Sequence, residues 1–337
     1  MPPLLKLLRP GDWTKNVFVL PAFVFALPRL LAEGAPTDRL LILGLDTLVA
    51  FACFCAIASG FYCLNDVLDR EKDRQHPVKR KRPVASGQVA PSTATATGLA
   101  LIAASIGVGF ALRPSFAMVL VAYALLQVAY NGGIKRVLFV DVVALALGFA
   151  MRAVGGAVAV DVPISAWLLL CVFFLCLYLG FIKRLCDLST AAAEGRGEWR
   201  SPAGYDDRIE LNWLLGMSAV LSVVTFLMYA LSEHAWAQFG SRATGFGMLS
   251  PLVMIAIHRF YRRASRGLSD SPLAALREDR AVLASVSLFA VSTLVILFVP
   301  AVQSALDMVF VAGMGAEPAT GAAAGPAAGP GAGTSGP

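Results

Sequence analysis

Long apolar runs separated by short polar loops dominate the chain. Nine of them are centred near residues 25, 51, 102, 122, 148, 175, 221, 252 and 291. Each approaches the roughly 17 to 25 apolar residues that carry a helix across a hydrocarbon core of about 30 Å. The pattern predicts an all-α fold, a polytopic integral membrane helical bundle of about nine transmembrane helices. The third and fourth runs are separated only by Arg113-Pro114, and the eighth has polar flanks. From residue 314 the chain becomes "MGAEPATGAAAGPAAGPGAGTSGP", which holds too little apolar surface to offset its ordering entropy. An intramembrane body over 1–313 and a disordered tail over 314–337 are therefore expected.

Composition agrees with the pattern. Of the 337 residues, 57% are hydrophobic and 15% charged, with a mean hydropathy of +0.70, far from the roughly 25% charge of soluble domains. Charge then orients the spans, because cytoplasmic loops hold the excess of Lys and Arg. With the N-terminus inside, the inner segments contain 23 of the 28 basic residues. The expected topology in the inner or plasma membrane is multi-pass, with the N-terminus cytoplasmic and the C-terminal tail outside. The first fifteen residues carry Lys6, Arg9 and Lys15 with three prolines and no cleavage pattern, so the first apolar run is expected to be retained. Cys53, Cys55, Cys63, Cys171, Cys176 and Cys186 lie in or beside apolar runs without metal-ligand spacing, and read as small apolar packers. The three histidines are scattered, which argues against zinc or haem.

The densest chemistry is "YCLNDVLDREKDRQHPVKRKRPVASG", residues 62–87, where the second run ends. Asp66, Asp69 and Asp73 stand at i, i+3 and i+7, which places three carboxylates on one stripe of a continuous helix, with Asn65 beside them. Like charges so arranged call for a cation, and hard oxygen donors at this spacing suit Mg²⁺, which commonly bridges carboxylates to substrate phosphates. The competing reading is a solvated helix end paired with its own Arg70, Lys72 and Arg74. Lys79, Arg80, Lys81 and Arg82 follow at once; they either orient the protein and meet anionic lipid or complete a pocket for a polyphosphate.

Further polar groups fall on the same side. "LRPGDWTKN" offers Lys15 and Asn16, with Trp13 read as an interfacial anchor; "YNGGIKR" offers Tyr130 and Lys135 around two glycines. "GFIKRLCDL" offers Lys183, Arg184 and Asp187. Asp141 and Arg152 lie inside the fifth run, eleven residues apart on one face. Ionisable groups at such depth face a cavity or pair between helices. Together these residues suggest a polyphosphate head held at the membrane surface and a lipid tail between helices, hence a membrane transferase with no nucleic-acid partner. A transporter lined by Asp141 and Arg152, or a scaffold binding anionic lipid, remains the alternative of a different class.

Asn65, Asp66, Asp69 and Asp73 form an NDxxDxxxD motif, and with it the chain resembles the UbiA superfamily of intramembrane prenyltransferases. "LRPGDWTKN", "NDVLDREKDRQHPVKRKRPVASG", "AYNGGIKR" and "GFIKRLCDL" make it similar, within that superfamily, to the decaprenyl-phosphate phosphoribosyltransferase group. The resemblance covers roughly residues 5 to 305. It implies Mg²⁺ held by Asn65, Asp66, Asp69 and Asp73, and transfer of 5-phosphoribose from phosphoribosyl diphosphate to a polyprenyl phosphate. Asp66, Asp69 and Asp73 would then be catalytic. Lys15, Asn16, Lys79, Arg80, Arg82, Tyr130, Lys135, Arg152, Lys183, Arg184 and Asp187 would bind substrate. Ordinary prenyltransferases of the superfamily carry a second acidic motif after the sixth span; here Lys183-Arg184 lead and Asp187 stands alone, where the phosphoribosyl group usually has Glu. An aromatic prenyltransferase, such as one acting on 4-hydroxybenzoate, is the nearest alternative.

Overall fold

The structure is a computed structural model that describes residues 2–76, 78–193, 203–268 and 272–310. The expected tail over 314–337 lies outside the described residues. Among them the chain is helical, without strands.

A short α1 (Pro3–Leu7) leads into a 3-10 stretch, Pro10–Val19, and then α2 (Pro21–Ala32). These two lie at 41° to each other, so the first expected span is a bent pair. Proline explains the bend: Pro21 has no N–H to continue the ladder but suits the first turn of a new helix, and Pro28 interrupts α2 again. Eight other segments are long and apolar enough to cross a membrane, nine with the bent pair, among the described residues. They are α3 (Thr37–Leu68), α5 (Pro91–Leu112), α6 (Pro114–Gly132), α7 (Val140–Ala159), α8 (Ala166–Ala193), α9 (Arg208–Ala230), Arg242–Ala264 and α14 (Arg280–Phe298). A short α4 (Arg70–Gln75) follows α3, and α10 (Glu233–Phe239) follows α9. The segment with polar flanks is itself divided into α11 (Arg242–Gly247) and α12 (Ser250–Ala264), with Pro251 in the first turn of α12. α13 (Pro272–Glu278) precedes α14, and α15 (Pro300–Phe310), which hydropathy alone did not reveal, ends the described chain.

Local chemistry sets the boundaries. Arg113 is extended at φ −157°, as a residue before proline must be, and it separates α5 from α6 in one step. Asp207, Ser232 and Asp279 cap α9, α10 and α14 by accepting from Ile209, Ala235 and Ala281 backbone N–H groups.

Close packing replaces the hydrophobic drive that water would supply. Gly60 of α3 and Gly98 of α5 face each other so closely that a Cβ on Gly60 would lie 2.7 Å from the Gly98 carbonyl oxygen. α7 is the most enclosed span, with 56% of its apolar window buried. Its Ala159 end joins a core of Phe54, Phe116, Leu120 and Tyr123. Its Val142 and Ala146 join a second core of Phe181, Leu185, Leu211 and Leu215 from α8 and α9. Leu41, Leu45 and Leu48 of α3 point outward, as lipid-facing side chains do. Five of the six cysteines are buried and all are free thiols.

Candidate active site

Alternation of the spans brings the C-terminal ends of α3, α6, α8 and α12 to one end of the bundle, with the starts of α5, α7, α9 and α14. The acid motif sits at that end. Asp69 closes α3 at φ −91°, ψ 5° and opens α4, so the expected unbroken stripe is interrupted by one residue. The helical spacing survives nonetheless, because Asp69 N donates to Asn65 O and Asp73 N to Asp69 O, both at 2.8 Å.

Two of the three carboxylates are buried, Asp66 at 1% exposure and Asp73 at 2%. Buried carboxylates need partners, and arginines supply them. Arg82 reaches both acids from one guanidinium nitrogen, 3.3 Å from Asp66 Oδ1 and 2.7 Å from Asp73 Oδ2. Arg9 pairs with the same Asp66 oxygen as Arg82 and lies over the Tyr62 ring, 4.8 Å from its centroid. The Arg9 backbone is left-handed at φ 51°, ψ 59°, a conformation that costs a non-glycine residue roughly 1–2 kcal/mol. Turning back onto a buried carboxylate offsets that strain. Asp69 is more open, with Lys135 Nζ at 3.9 Å across from the 3-10 turn Ile134–Arg136.

A second knot binds α7 to α8 and to the segment before α9. Asp141 is fully buried and accepts from Arg184 Nη2 and from the Tyr205 hydroxyl, each at 2.6 Å, and from Val142 N at 2.7 Å. The Tyr205 hydroxyl itself accepts from Phe139 N at 2.9 Å. Burial pushes the Tyr205 phenol up, and the hydrogen bond to the Asp141 carboxylate and its charge push it further. Tyr130 lies beside Arg184 and Asp141, and Asp187 is close enough to act on the Arg184 charge. Lys183 is exposed on the neighbouring turn.

Arg152 forms a third knot. Its guanidinium donates to Asn16 Oδ1 at 2.7 Å, Gly148 O at 2.7 Å and the Tyr123 hydroxyl at 2.9 Å, and it lies 4.9 Å from the Tyr123 ring centroid. Asp141 and Arg152 share α7, but each pairs with a different element; the structure gives inter-helix pairing rather than a continuous polar path. Asn16 is buried, its amide also donating to Cys55 Sγ at 3.2 Å. Lys15 pairs with Asp12 at 2.7 Å, near Tyr62 and Arg152. Trp13 is more than an interfacial anchor: its indole N–H donates to Ser59 Oγ at 3.0 Å and ties the 3-10 stretch to α3. Lys79 and Arg80 stand exposed in the short turn Lys79–Lys81.

Most of the expected site residues thus converge on one end, linked through Asp69–Lys135 and Tyr130–Arg184. The residues that sequence reasoning missed are Arg9, Tyr62, Tyr123 and Tyr205. Arg9 stood inside the quoted "LRPGDWTKN", and its chemistry matched the acids, but only the fold shows that it turns back.

The donor set also tests for a metal. The Asn65 side-chain oxygen is buried with no hydrogen-bond partner, an orphan acceptor beside two acids. Among the described residues no three His, Cys, Asp or Glu side chains converge as a metal cage. An orphan oxygen and partly converging carboxylates fit a hard divalent ion that takes its remaining ligands from substrate phosphates. Two clefts of about 480 and 530 Å³ lie elsewhere, and no acid-motif residue lines either.

The model of the UbiA prenyltransferase family matches residues 18–277. The chain belongs to that family. Among curated UbiA relatives it is 32% identical to the decaprenyl-phosphate phosphoribosyltransferase of Mycobacterium tuberculosis, over 82% of this chain and 88% of that one. The enzyme of the same name from Mycolicibacterium smegmatis is 34% identical over 68% of this chain and 70% of its own. The fold is that of a UbiA homologue from Archaeoglobus fulgidus bound to DMAPP and Mg²⁺, at 18% identity and a TM-score of 0.59, over 88% of this chain and 99% of that one. The protein is thus a multi-pass UbiA-superfamily transferase similar to decaprenyl-phosphate phosphoribosyltransferases.

Proposed function

We propose that the protein transfers 5-phosphoribose from phosphoribosyl diphosphate to a polyprenyl phosphate such as decaprenyl phosphate. The observation that supports this reading best is the surplus of cations around the acid motif. Arg9, Arg82, Lys135 and Arg184 all approach carboxylates at this end, with Lys79, Arg80 and Lys183 exposed beside them. An allylic diphosphate presents charge only at its diphosphate. Phosphoribosyl diphosphate adds a 5-phosphate, and the lipid acceptor adds a third phosphate centre, so more cations and fewer acids are expected. The relatives named above add the same direction.

Asn65, Asp66, Asp69 and Asp73 would hold Mg²⁺, which when bound neutralises charge on the departing diphosphate. Lys79, Arg80, Arg82, Lys135 and Lys183 would secure the remaining phosphates, with Lys15 beside them, the buried Asn16 holding Arg152 in place, and Tyr130 on ribose or phosphate. Arg184 and Arg152 would act largely by positioning, since each is held by protein groups, and Asp187 would set the charge beside Arg184. In the transfer, the C1–O bond to diphosphate breaks and its electron pair leaves with diphosphate. A lipid phosphate oxygen bonds to C1 and inverts it. No dedicated base is required, because a phosphate monoester is largely ionised near pH 7.

The reaction would occur on the cytoplasmic face of the plasma membrane, within the body 1–313, with the tail 314–337 outside. The product would feed arabinofuranose donors for cell-wall polysaccharide. A donor competition tests the reading: purified protein is offered phosphoribosyl diphosphate and an allylic diphosphate together, and consumption of each is followed. Consumption of the phosphoribosyl donor with polyprenyl phosphate is expected. Prenyl transfer to an aromatic acid in its place would overturn the proposal.

A further inference from the structure

The cleft of about 480 Å³ between the end of α12 and the start of α14 is lined by Arg259, Arg262, Arg263, Arg266 and Arg280, against two acids, Glu278 and Asp279. Both acids are already engaged. Arg259 Nη2 donates to the two Asp279 oxygens at 3.0 and 2.8 Å, and Arg263 Nη2 to Glu278 Oε2 at 2.5 Å. Asp279 also accepts from the Ala281 and Val282 backbone N–H groups as the cap of α14. Arg262, Arg266 and Arg280 are exposed and form no ion pair among the described residues.

Arginines at the inner ends of spans follow from topology alone, so their number proves nothing by itself. Two features go further. Arg263 is only 8% exposed, and its Nε, like that of Arg259, is buried with no hydrogen-bond partner. Burial and the bond to Glu278 fix the Arg263 guanidinium in place, so its planar fork is set before a ligand arrives. The cleft is also concave and roomy enough for a phosphate group, with Leu268 as an apolar edge beside two membrane spans. Arg208 Nη2 fixes the adjoining turn by donating to Ser265 O at 3.2 Å. No residue of the acid motif, or of the cations around it, lines the cleft.

We infer that this cleft is a second anion site that takes a phosphate group, from either the headgroup of a membrane lipid or a soluble phosphate compound. Arg262, Arg266 and Arg280 supply unneutralised charge, while Arg259 and Arg263 supply N–H groups fixed by their bonds to Asp279 and Glu278. Planar guanidinium forks suit the oxygens of a phosphate.

The test uses the full chain in phosphatidylcholine nanodiscs, with two arms. One adds phosphatidic acid and counts retained lipid by native mass spectrometry; the other titrates inorganic phosphate by calorimetry. Wild type is expected to bind saturably in at least one arm, and that arm identifies the source. The triple variant Arg262→Gln/Arg266→Gln/Arg280→Gln is expected to bind at least tenfold more weakly there, with its melting temperature and transferase activity unchanged. If that variant does not fold, wild type is treated with phenylglyoxal. Slower modification of these three arginines when the phosphate ligand is added supports the site, and equal modification overturns it. Absence of saturable binding in both arms, or a loss smaller than tenfold in the folded variant, likewise overturns the inference.

Discussion

Replacing Asp141 by Asn tests the most enclosed charge in the bundle. The carboxylate has no exposed surface and accepts three short bonds, from Arg184, Tyr205 and Val142 N, while the Arg184 side chain is 16% exposed. Asparagine keeps the shape but leaves the guanidinium unneutralised in a largely dry setting. Removing one member of a buried pair costs about 3–5 kcal/mol; the remaining access of Arg184 to water favours the lower end, about 3 kcal/mol. At roughly 1–2 °C per kcal/mol for a chain of 337 residues, the melting temperature should fall by roughly 3 to 6 °C. The double variant Asp141→Asn/Arg184→Gln removes the stranded charge and should recover roughly half of the loss, a coupling within the range seen for contacting residues. The assay is thermal unfolding in detergent for wild type, both single variants and the double. An Asn variant that melts with wild type, or a double variant that loses the sum of the two singles, would rule out a stabilising Asp141–Arg184 pair.

Asp66→Asn and Asp69→Asn should each lower transfer at least tenfold in an assay with labelled phosphoribosyl diphosphate and Mg²⁺, with folding checked by circular dichroism; near-normal turnover in both would remove the metal role. A side chain at Gly60 meets the Gly98 carbonyl oxygen at 2.7 Å and Ile102 Cγ1 at 2.8 Å, so Gly60→Ala should destabilise by about 1–3 kcal/mol. Gly107→Ala on α5, with open space at its Cβ position, should be neutral or stabilising in the same melts. Burial alone would raise the Asp279 carboxyl, but Arg259 and the Val282 and Ala281 N–H groups outweigh it and hold it below the usual carboxylate range. Its stabilisation is therefore present above the unfolded value near 3.9 and lost as pH falls through the folded value. Asp279→Asn should flatten the acid limb of the melting-temperature profile below about pH 4.

Period and length made the spans readable, because a lipid-crossing helix announces itself by unbroken apolar sequence. The bend at Pro21 and the division at Met248-Leu249 did not register, since hydropathy averages over single residues. Asp66, Asp69 and Asp73 were legible as a spacing, yet their partners were not. Arg9 lies 57 positions from Asp66 and Tyr205 lies 64 from Asp141, and no local pattern encodes contacts at that separation. Asp141 and Arg152 were legible only as two ionisable groups on one helix face, which left a cavity lining and pairing between helices both open. The structure assigns them to separate knots because Arg184 of α8 meets Asp141 at the start of α7, whereas Asn16 of the 3-10 stretch meets Arg152 farther along it. The arginine cleft was counted in the sequence only as orienting charge; its concavity and buried Nε atoms exist only in the fold.

Mass spectrometry of lipid products, after purified protein is incubated with phosphoribosyl diphosphate, decaprenyl phosphate and Mg²⁺, reads phosphoribosyl transfer itself. A new lipid is expected whose mass equals decaprenyl phosphate joined to 5-phosphoribose with loss of water, formed one for one with diphosphate and absent with Asp66→Asn. Unchanged decaprenyl phosphate in the wild-type reaction, from protein that does consume an allylic diphosphate, would contradict that transfer.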